Sequence, residues 1–525
     1  MGIKTFYDLT NPQKSIWLTE QFYKGTTLGN VSGTLTIKET VNFDLLEKAL
    51  NKFVERNDSL RLKIIVDKGT PKQFVEEYSY VDIPKFEIDF NDISSLENDI
   101  VSEPFELIDS FLYKFSIIKY PDGTGGFNAN LHHLISDAWT MSILINQVMD
   151  IYEKLLENEP IDMTAPSYID YIQSETEYKT GEKFQKDQEF WEGTFKSLPD
   201  LAKITPYEVK EESFSSCRKD FSLDNNLSER INTFCKDFKV SPYSLFMSVY
   251  SIYLSRVSNI DDVVIGTPML NRSNFKEKNT TGMFISSLPN KIDINHEDKF
   301  IDFVKNVSTT QMSVFRHQKY PYDLLLSSLR EKNGISRGLY DVLLSYQNAR
   351  NNSKDSKINY VTNWLFSKDI SNSLDIHIYD MDNTGELKIF YDYQTCKFTQ
   401  QEINEIHSRI LNILGQVISE PNMVLNTIEI VTPEEKQKLL YDFNDTKVDY
   451  PKNTTISGLF EEQVKKTPDN IALVFEDKNL TFKELNEKSN QLANFLRKNN
   501  VKGNTIVGIM VERSLEMLVR YNGYS

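Results

Sequence analysis

Leu131-His132-His133-Leu134-Ile135-Ser136-Asp137-Ala138-Trp139 sits where a buried strand hands over to an amphipathic helix. Upstream, residues 111–118 and 126–131 read as two strands joined at Pro121-Asp122-Gly123, a tight-turn signal. Downstream, Met141, Leu144, Ile145, Val148, Ile151, Tyr152 and Leu155 recur at helical spacing and give one apolar face. Ser136 or Asp137 is placed to cap that helix. Two imidazoles at a strand end, followed by a carboxylate on the turn, form a compact way to fix one base in a cleft.

Working outward, the pattern up to about residue 430 is mixed α/β. Phe43–Arg56 reads as a helix with Leu45, Leu46, Ala49, Leu50, Phe53 and Val54 as its buried stripe. Asn57-Asp58 stops it, and residues 60–66 resume as an alternating strand. The polar run 159–200 is expected to join two lobes. Further on, 242–257 and 400–418 read as helices and 262–266 as a short buried strand. Residues 432–455 are polar and proline-punctuated, as expected of a linker. Beyond it, helix 456–466, strand 471–475 and helix 482–499 suggest a separate small α/β segment.

A chain of 525 residues is too long for one core, and 39% hydrophobic with 26% charged residues describes a folded protein. The net charge of −17 argues against a nucleic-acid partner. Cys217, Cys235 and Cys396 are widely spaced and odd in number, which fits a reducing cytoplasm better than a disulfide framework. No signal peptide opens the chain and no apolar run is long enough to span a bilayer, so a cytoplasmic protein is expected. The six histidines, at 132, 133, 296, 317, 377 and 407, form no close-spaced ligand set, so no metal is expected. Gly123-Thr124-Gly125-Gly126 lies in a hairpin, opens no helix and reads as a turn.

An isolated His-His pair is more often ordinary packing than chemistry. Here it belongs to a series. His-His-x-x-x-Asp, a small residue and an aromatic resembles the core motif of nonribosomal peptide synthetase condensation domains. Residues 11–18, with Gln13 and Trp17, resemble the family's opening motif. Arg56-Asn57-Asp58-Ser59-Leu60-Arg61 is similar to the second, although its usual His-Glu is replaced. Tyr168-Ile169-Asp170-Tyr171 matches the fourth in outline. Gly266-Thr267-Pro268, Asn271-Arg272 and Gly282-Met283-Phe284-Ile285 correspond to the stretch around the fifth. His317 to Tyr322, and Ser336-Arg337-Gly338 through Tyr346-Gln347-Asn348, look like the last two. Each is weak alone, but all arrive in the family's order. Residues 471–474, 480–485 and 507–510 resemble the start of an adenylation domain, a likeness that runs to about Met517 and stops before the glycine-rich phosphate loop. That piece is therefore not expected to activate an amino acid by itself, and 507–519 is expected to be a poorly anchored tail.

The resemblance implies an α/β fold of two chloramphenicol-acetyltransferase-like lobes in a V-shaped pseudodimer, plus a small incomplete α/β C-terminal segment. Its divisions would be a first lobe at 1–170, a second at 171–431, the linker at 432–455 and the adenylation start at 456–525. It implies amide formation between a thioester-bound acyl or peptidyl donor and an aminoacyl acceptor. Donor and acceptor carrier proteins, or an acyl-CoA donor, and downstream synthetase domains would be partners. No cofactor would be bound directly, since substrates arrive on 4′-phosphopantetheine or as acyl-CoA. His133 would carry the base or positioning role, with His132 structural. Asp137 would point away from substrate and pair with an arginine, Arg61 first and Arg56 second. Ala138 stands where the family usually has glycine, at a place a pantetheine arm would pass. Trp139 would pack under the motif beside that channel. Asn348 and, more weakly, Ser345 match positions lining it, whereas His317 reads as structural. The series begins within a few residues of Met1 and no docking segment is visible, which favours a starter-type donor over an elongation type. A recruiting module without catalysis, or an inactive remnant, is the alternative.

Overall fold

A computed structural model of the chain describes residues 4–202, 204–205, 213–335, 337–348, 356–380 and 386–524. The chain divides into two compact units, Met1–Thr432 and Pro433–Ser525.

The first unit is built on two large sheets. One has five strands, ordered Tyr360–Leu365, Asn30–Ile37, Gly125–His132, Tyr113–Lys119 and Lys85–Glu87. Phe43–Arg56 and Ala138–Glu157 cover one face of it with apolar stripes, so Leu46, Leu50, Phe53, Phe127, Leu131, Leu144 and Val148 share one core. Alternation then turns Asn128, Asn130 and His132 to the opposite face, and all three are buried there too. The second sheet has six strands: Ser286–Asp293, Asp262–Met269, Val342–Gln347, Leu374–Tyr379, Lys388–Gln394 and Ser216–Ser222. Its core is closed by Pro242–Ser258, Phe300–Arg316 and Gln400–Ser419. Strand Tyr360–Leu365 lies in sequence between two strands of the second sheet but pairs antiparallel with Asn30–Ile37 of the first, Trp364 opposite Gly33. The C-terminal part of this unit thus supplies an edge strand to the N-terminal sheet.

Several elements depart from the sequence reading. Residues 58–61 form a 3-10 turn, and the strand starts only at Leu62. The strand expected at 262–266 continues to Met269. The polar run 159–200 holds two helices, Tyr168–Thr180 and Glu182–Thr194, anchored by the fully buried Tyr168 and Trp191. In the second unit, Ile456–Lys466, Ile471–Phe475 and Phe482–Lys498 form as expected, and a strand the sequence reading lacked, Lys478–Thr481, pairs with Ile471–Phe475 as a hairpin. The C-terminal helix Leu515–Tyr524 rests on Phe482–Lys498, where Ser489 Oγ donates to the Val519 carbonyl. Ile506 and Met510, just before that helix, are almost fully exposed. No helix among the described residues is long and apolar enough to cross a membrane.

Candidate active site

Strand Gly125–His132 delivers the two histidines to a sharp turn in which the Ile135 N–H donates to the His132 carbonyl. The rings then take different roles. His132 is 2% exposed, and the Leu134 N–H donates to its Nδ1 at 3.1 Å. Its proton is therefore on Nε2, which faces Glu20 Oε1 at 3.4 Å. This corner leaves no room for a side chain at Gly29, whose Cβ would lie 2.1 Å from His132 Nε2. The Gly29 carbonyl in turn accepts the His133 N–H at 2.7 Å.

His133 is half-buried, and its Nδ1 lies 3.1 Å from the Ser136 carbonyl oxygen. A carbonyl only accepts, so Nδ1 carries the proton and Nε2 keeps its lone pair. Burial, followed by the neighbouring His132, holds the His133 pKa below its ordinary value. The ring is thus neutral near pH 7, with a fixed tautomer and a basic nitrogen on its far edge. Gln13 braces the turn from outside, donating to the Leu134 carbonyl at 2.8 Å while its own oxygen closes the capping box with Thr10.

Asp137 caps helix Ala138–Glu157 by accepting the Thr140 N–H at 2.8 Å. Its partner corrects the sequence expectation. The arginine is Arg272, not Arg61 or Arg56, and it binds both carboxylate oxygens at 2.6 and 3.1 Å with neither side chain exposed. The Phe284 N–H adds a further bond to Asp137, and the Phe284 ring lies 4.0 Å from the guanidinium. Arg272 also donates to the Gly282 carbonyl, while Thr140 Oγ1 and Gly282 exchange two bonds. Arg61 is drawn instead to the Glu76 carbonyl and Arg56 to that of Thr164. Arg56 closes its helix and Arg61 the 3-10 turn that follows, and from there each side chain runs to a neighbouring loop. The Asn271-Arg272 pair, in a motif already singled out, was the signal for the true partner.

The other candidates fall in three places. Ala138 is exposed, and Trp139 next to it is half-buried with its indole N–H on the Lys278 carbonyl at 2.8 Å. Ser345 Oγ lies 2.6 Å from His377 Nδ1 on the second sheet, and Asn348 beyond it is exposed. His317 packs flat on Phe190 and pairs with Asp187. Ser336 lies outside the described residues. Among the described residues no group of three or more His, Cys, Asp or Glu is placed to hold a metal ion.

A condensation-domain family model matches residues 3–440 of this chain. The chain belongs to the condensation-domain family. An AMP-binding enzyme model matches residues 460–524 after it. Surfactin synthase subunit 1 of Bacillus subtilis (strain 168) is 36% identical over 99% of this chain and 15% of its own length. Gramicidin S synthase 2 of Brevibacillus brevis is 31% identical over 99% of this chain and 12% of its own. The chain therefore spans less than a sixth of the length of either relative. Among solved structures, the starter condensation domain of rhizomide synthetase, in complex with C8-CoA, superposes with a TM-score of 0.71 at 17% identity, covering 81% of this chain and 98% of that one. The first condensation domain of the CDA synthetase gives 0.71 at 15% identity, covering 82% and 99%. The fold is that of the nonribosomal peptide synthetase condensation domains, which act on substrates carried as thioesters.

Proposed function

We propose that this condensation domain joins a thioester-bound acyl or peptidyl donor to an aminoacyl group on a carrier protein, with His133 Nε2 facing the attacking amine. The carrying observation is the Nδ1–H bond to the Ser136 carbonyl, which leaves Nε2 as an acceptor on a ring kept neutral by burial. In the step, the amine nitrogen adds to the donor carbonyl, a C–N bond forms and the C–S bond breaks. The amine proton passes to Nε2 and from there to the departing thiolate. Holding both thioesters end to end supplies the rest of the acceleration by positioning. His132 and Asp137 hold the turn, and Ala138 and Trp139 flank the entry of the pantetheine arm. Ser345 and Asn348 line the far side of the channel. We take 1–170 and 171–431 as the two lobes, 432–455 as the linker and 456–525 as the start of the adenylation domain.

The test is amide formation by the purified chain. Acyl-CoA and acyl-carrier donors are mixed with aminoacyl-pantetheine or aminoacyl-carrier acceptors and read by mass spectrometry, beside His133→Ala. Product that falls about 100-fold or more in a folded variant is expected, and an acyl-CoA donor in that product marks a starter type. Product insensitive to His133, or none from any pair, overturns the reading in favour of a recruiting module or an inactive remnant.

A further inference from the structure

Away from the His-His turn, the second sheet carries another ordered set of reactive groups. Val342 and Leu344 point into the apolar core, so alternation turns Ser345 and Gln347 to the opposite face. The same alternation puts His377 and Asp392 on that face, from strands that pack Leu374, Ile376, Tyr391 and Tyr393 inward. Register completes the arrangement, since Ser345 is directly opposite His377 in a parallel pair.

Ser345 Oγ lies 2.6 Å from His377 Nδ1, and His377 Nε2 lies 3.2 Å from Asp392 Oδ2. One tautomer satisfies both contacts. A lone pair on Nε2 would face a carboxylate, so Nε2 carries the proton and donates it to Asp392. In the neutral ring Nδ1 then accepts, and the hydrogen it accepts is that of the Ser345 hydroxyl. The Gln347 amide nitrogen, 3.4 Å from the same Nδ1, is also a donor and fits the same assignment. Asp392 does not need the histidine to balance its charge, because Arg218 binds both of its oxygens at 2.7 and 2.8 Å. The Asp392–His377 contact therefore orients an imidazole that Ser345 uses. A hydroxyl whose proton points at a base, itself held by a carboxylate, is the arrangement of an activated nucleophile. His377 keeps 20% of its side chain exposed while Ser345 is 7% exposed, so solvent reaches the group through the imidazole.

We propose that Ser345, His377 and Asp392 form a second acyl-transfer centre that hydrolyses thioesters. Ser345 Oγ adds to the thioester carbonyl carbon while its proton passes to His377 Nδ1. The C–S bond breaks, and the thiolate leaves with that proton as a free thiol. Water then attacks the Ser345 ester and gives one proton to Nδ1, which returns it to Ser345 Oγ as the carboxylic acid departs. The balance is thioester plus water to acid plus thiol. Such a centre would clear acyl groups that stall without an acceptor amine.

The test uses the full chain carrying His133→Ala, so that the proposed amide route is off. A fluorophosphonate, which labels activated serine hydroxyls whatever the natural acyl group, is expected to label Ser345, located by peptide mass mapping. Octanoyl- and benzoyl-pantetheine without acceptor are expected to release thiol, at a rate that falls at least 10-fold in Ser345→Ala and His377→Gln. Labelling needs no variant of the centre, so a poorly folding Ser345→Ala does not blunt it. Absence of label on Ser345, or thiol release unchanged in a folded Ser345→Ala, overturns the proposal. Loss of amide formation on His133→Ala, with labelling retained, separates this centre from the first.

Discussion

Two carboxylates of the condensation unit are each gripped by an arginine through both oxygens, Asp137 by Arg272 and Asp392 by Arg218. They differ in what else they touch. Asp137 and Arg272 have no exposed side-chain surface, and the remaining bonds to Asp137 come from the backbone N–H groups of Thr140 and Phe284. Every acceptor direction is used for scaffolding, and the nearby His133 turns its Nδ1 to a carbonyl instead. Asp392 is 5% exposed, Arg218 is 27% exposed, and one Asp392 oxygen also meets an imidazole. The same ion pair thus closes a joint in one region and aims a ring in the other. An aspartate four residues after a histidine invites a triad reading, yet the triad-like geometry arises where three strands place distant residues on one face.

The largest predicted effect separates the two pairs. Asp137→Ala leaves a guanidinium buried without its counter-charge and is expected to cost about 3–5 kcal/mol. Arg272→Met together with Asp137→Leu should recover part of that loss, since the desolvation cost disappears with both charges. Asp392→Asn, beside a partly solvated arginine, is expected to cost about 1–2 kcal/mol. All four tryptophans, Trp17, Trp139, Trp191 and Trp364, lie in this unit, so urea midpoints read by their fluorescence report on it alone. Equal losses for Asp137→Ala and Asp392→Asn would erase the distinction.

A smaller effect probes packing instead of charge. Gly29→Ala puts a methyl 2.1 Å from His132 Nε2 and 2.7 Å from Glu20 Oε1. The strain is expected to cost about 1–3 kcal/mol and to shift His133, whose N–H rests on the Gly29 carbonyl. Gly415, inside helix Gln400–Ser419, has open space around its Cβ position. Gly415→Ala should raise stability by about 0.5–1 kcal/mol from helix propensity alone. Urea midpoints of opposite sign are the expected result, and amide formation should fall only in Gly29→Ala.

Legibility followed periodicity. Phe43–Arg56 and Gln400–Ser419 announce themselves because one stripe of each is apolar at helical spacing. Tyr168–Thr180 and Glu182–Thr194 bury little beyond Tyr168, Ile172, Asp187 and Trp191, so their sequence reads as a polar connector. The exchange of Tyr360–Leu365 between sheets leaves no local mark, since strand partners are chosen by tertiary packing. At the site, the His-His turn and the cap by Asp137 were readable because they are contiguous. Arg272 lies 135 residues from its partner, and nothing local in the sequence ties the two together. Of the Ser345–His377–Asp392 set only Ser345 falls within a motif stretch, and nothing in sequence links it to the other two. The set exists only through register.

Asp375 lies two residues from His377 on the same strand and so on the same face. Burial pushes its carboxyl up to about 6, against a downward pull from His377 and a hydrogen bond from Asn372. The folded value lies above the unfolded one of about 3.9, so the folded state binds the proton more tightly. Asp375 therefore contributes stability below about pH 4 that is lost as pH rises through 6. Asp375→Asn keeps the Asn372 bond but cannot ionise, and should be more stable than the parent chain at pH 8 by about 1–2 kcal/mol relative to their difference at pH 4.5. Urea titrations at both values read this directly. His133 sits in the opposite regime, since burial holds its pKa below the ordinary value and a proton gained at acid pH works against the fold. Parallel curves for the parent chain and Asp375→Asn would mean that the sheet face holding His377 is wet enough to ionise every carboxylate on it. In that case Arg218 and solvent, not a buried environment, would set the charge around Ser345.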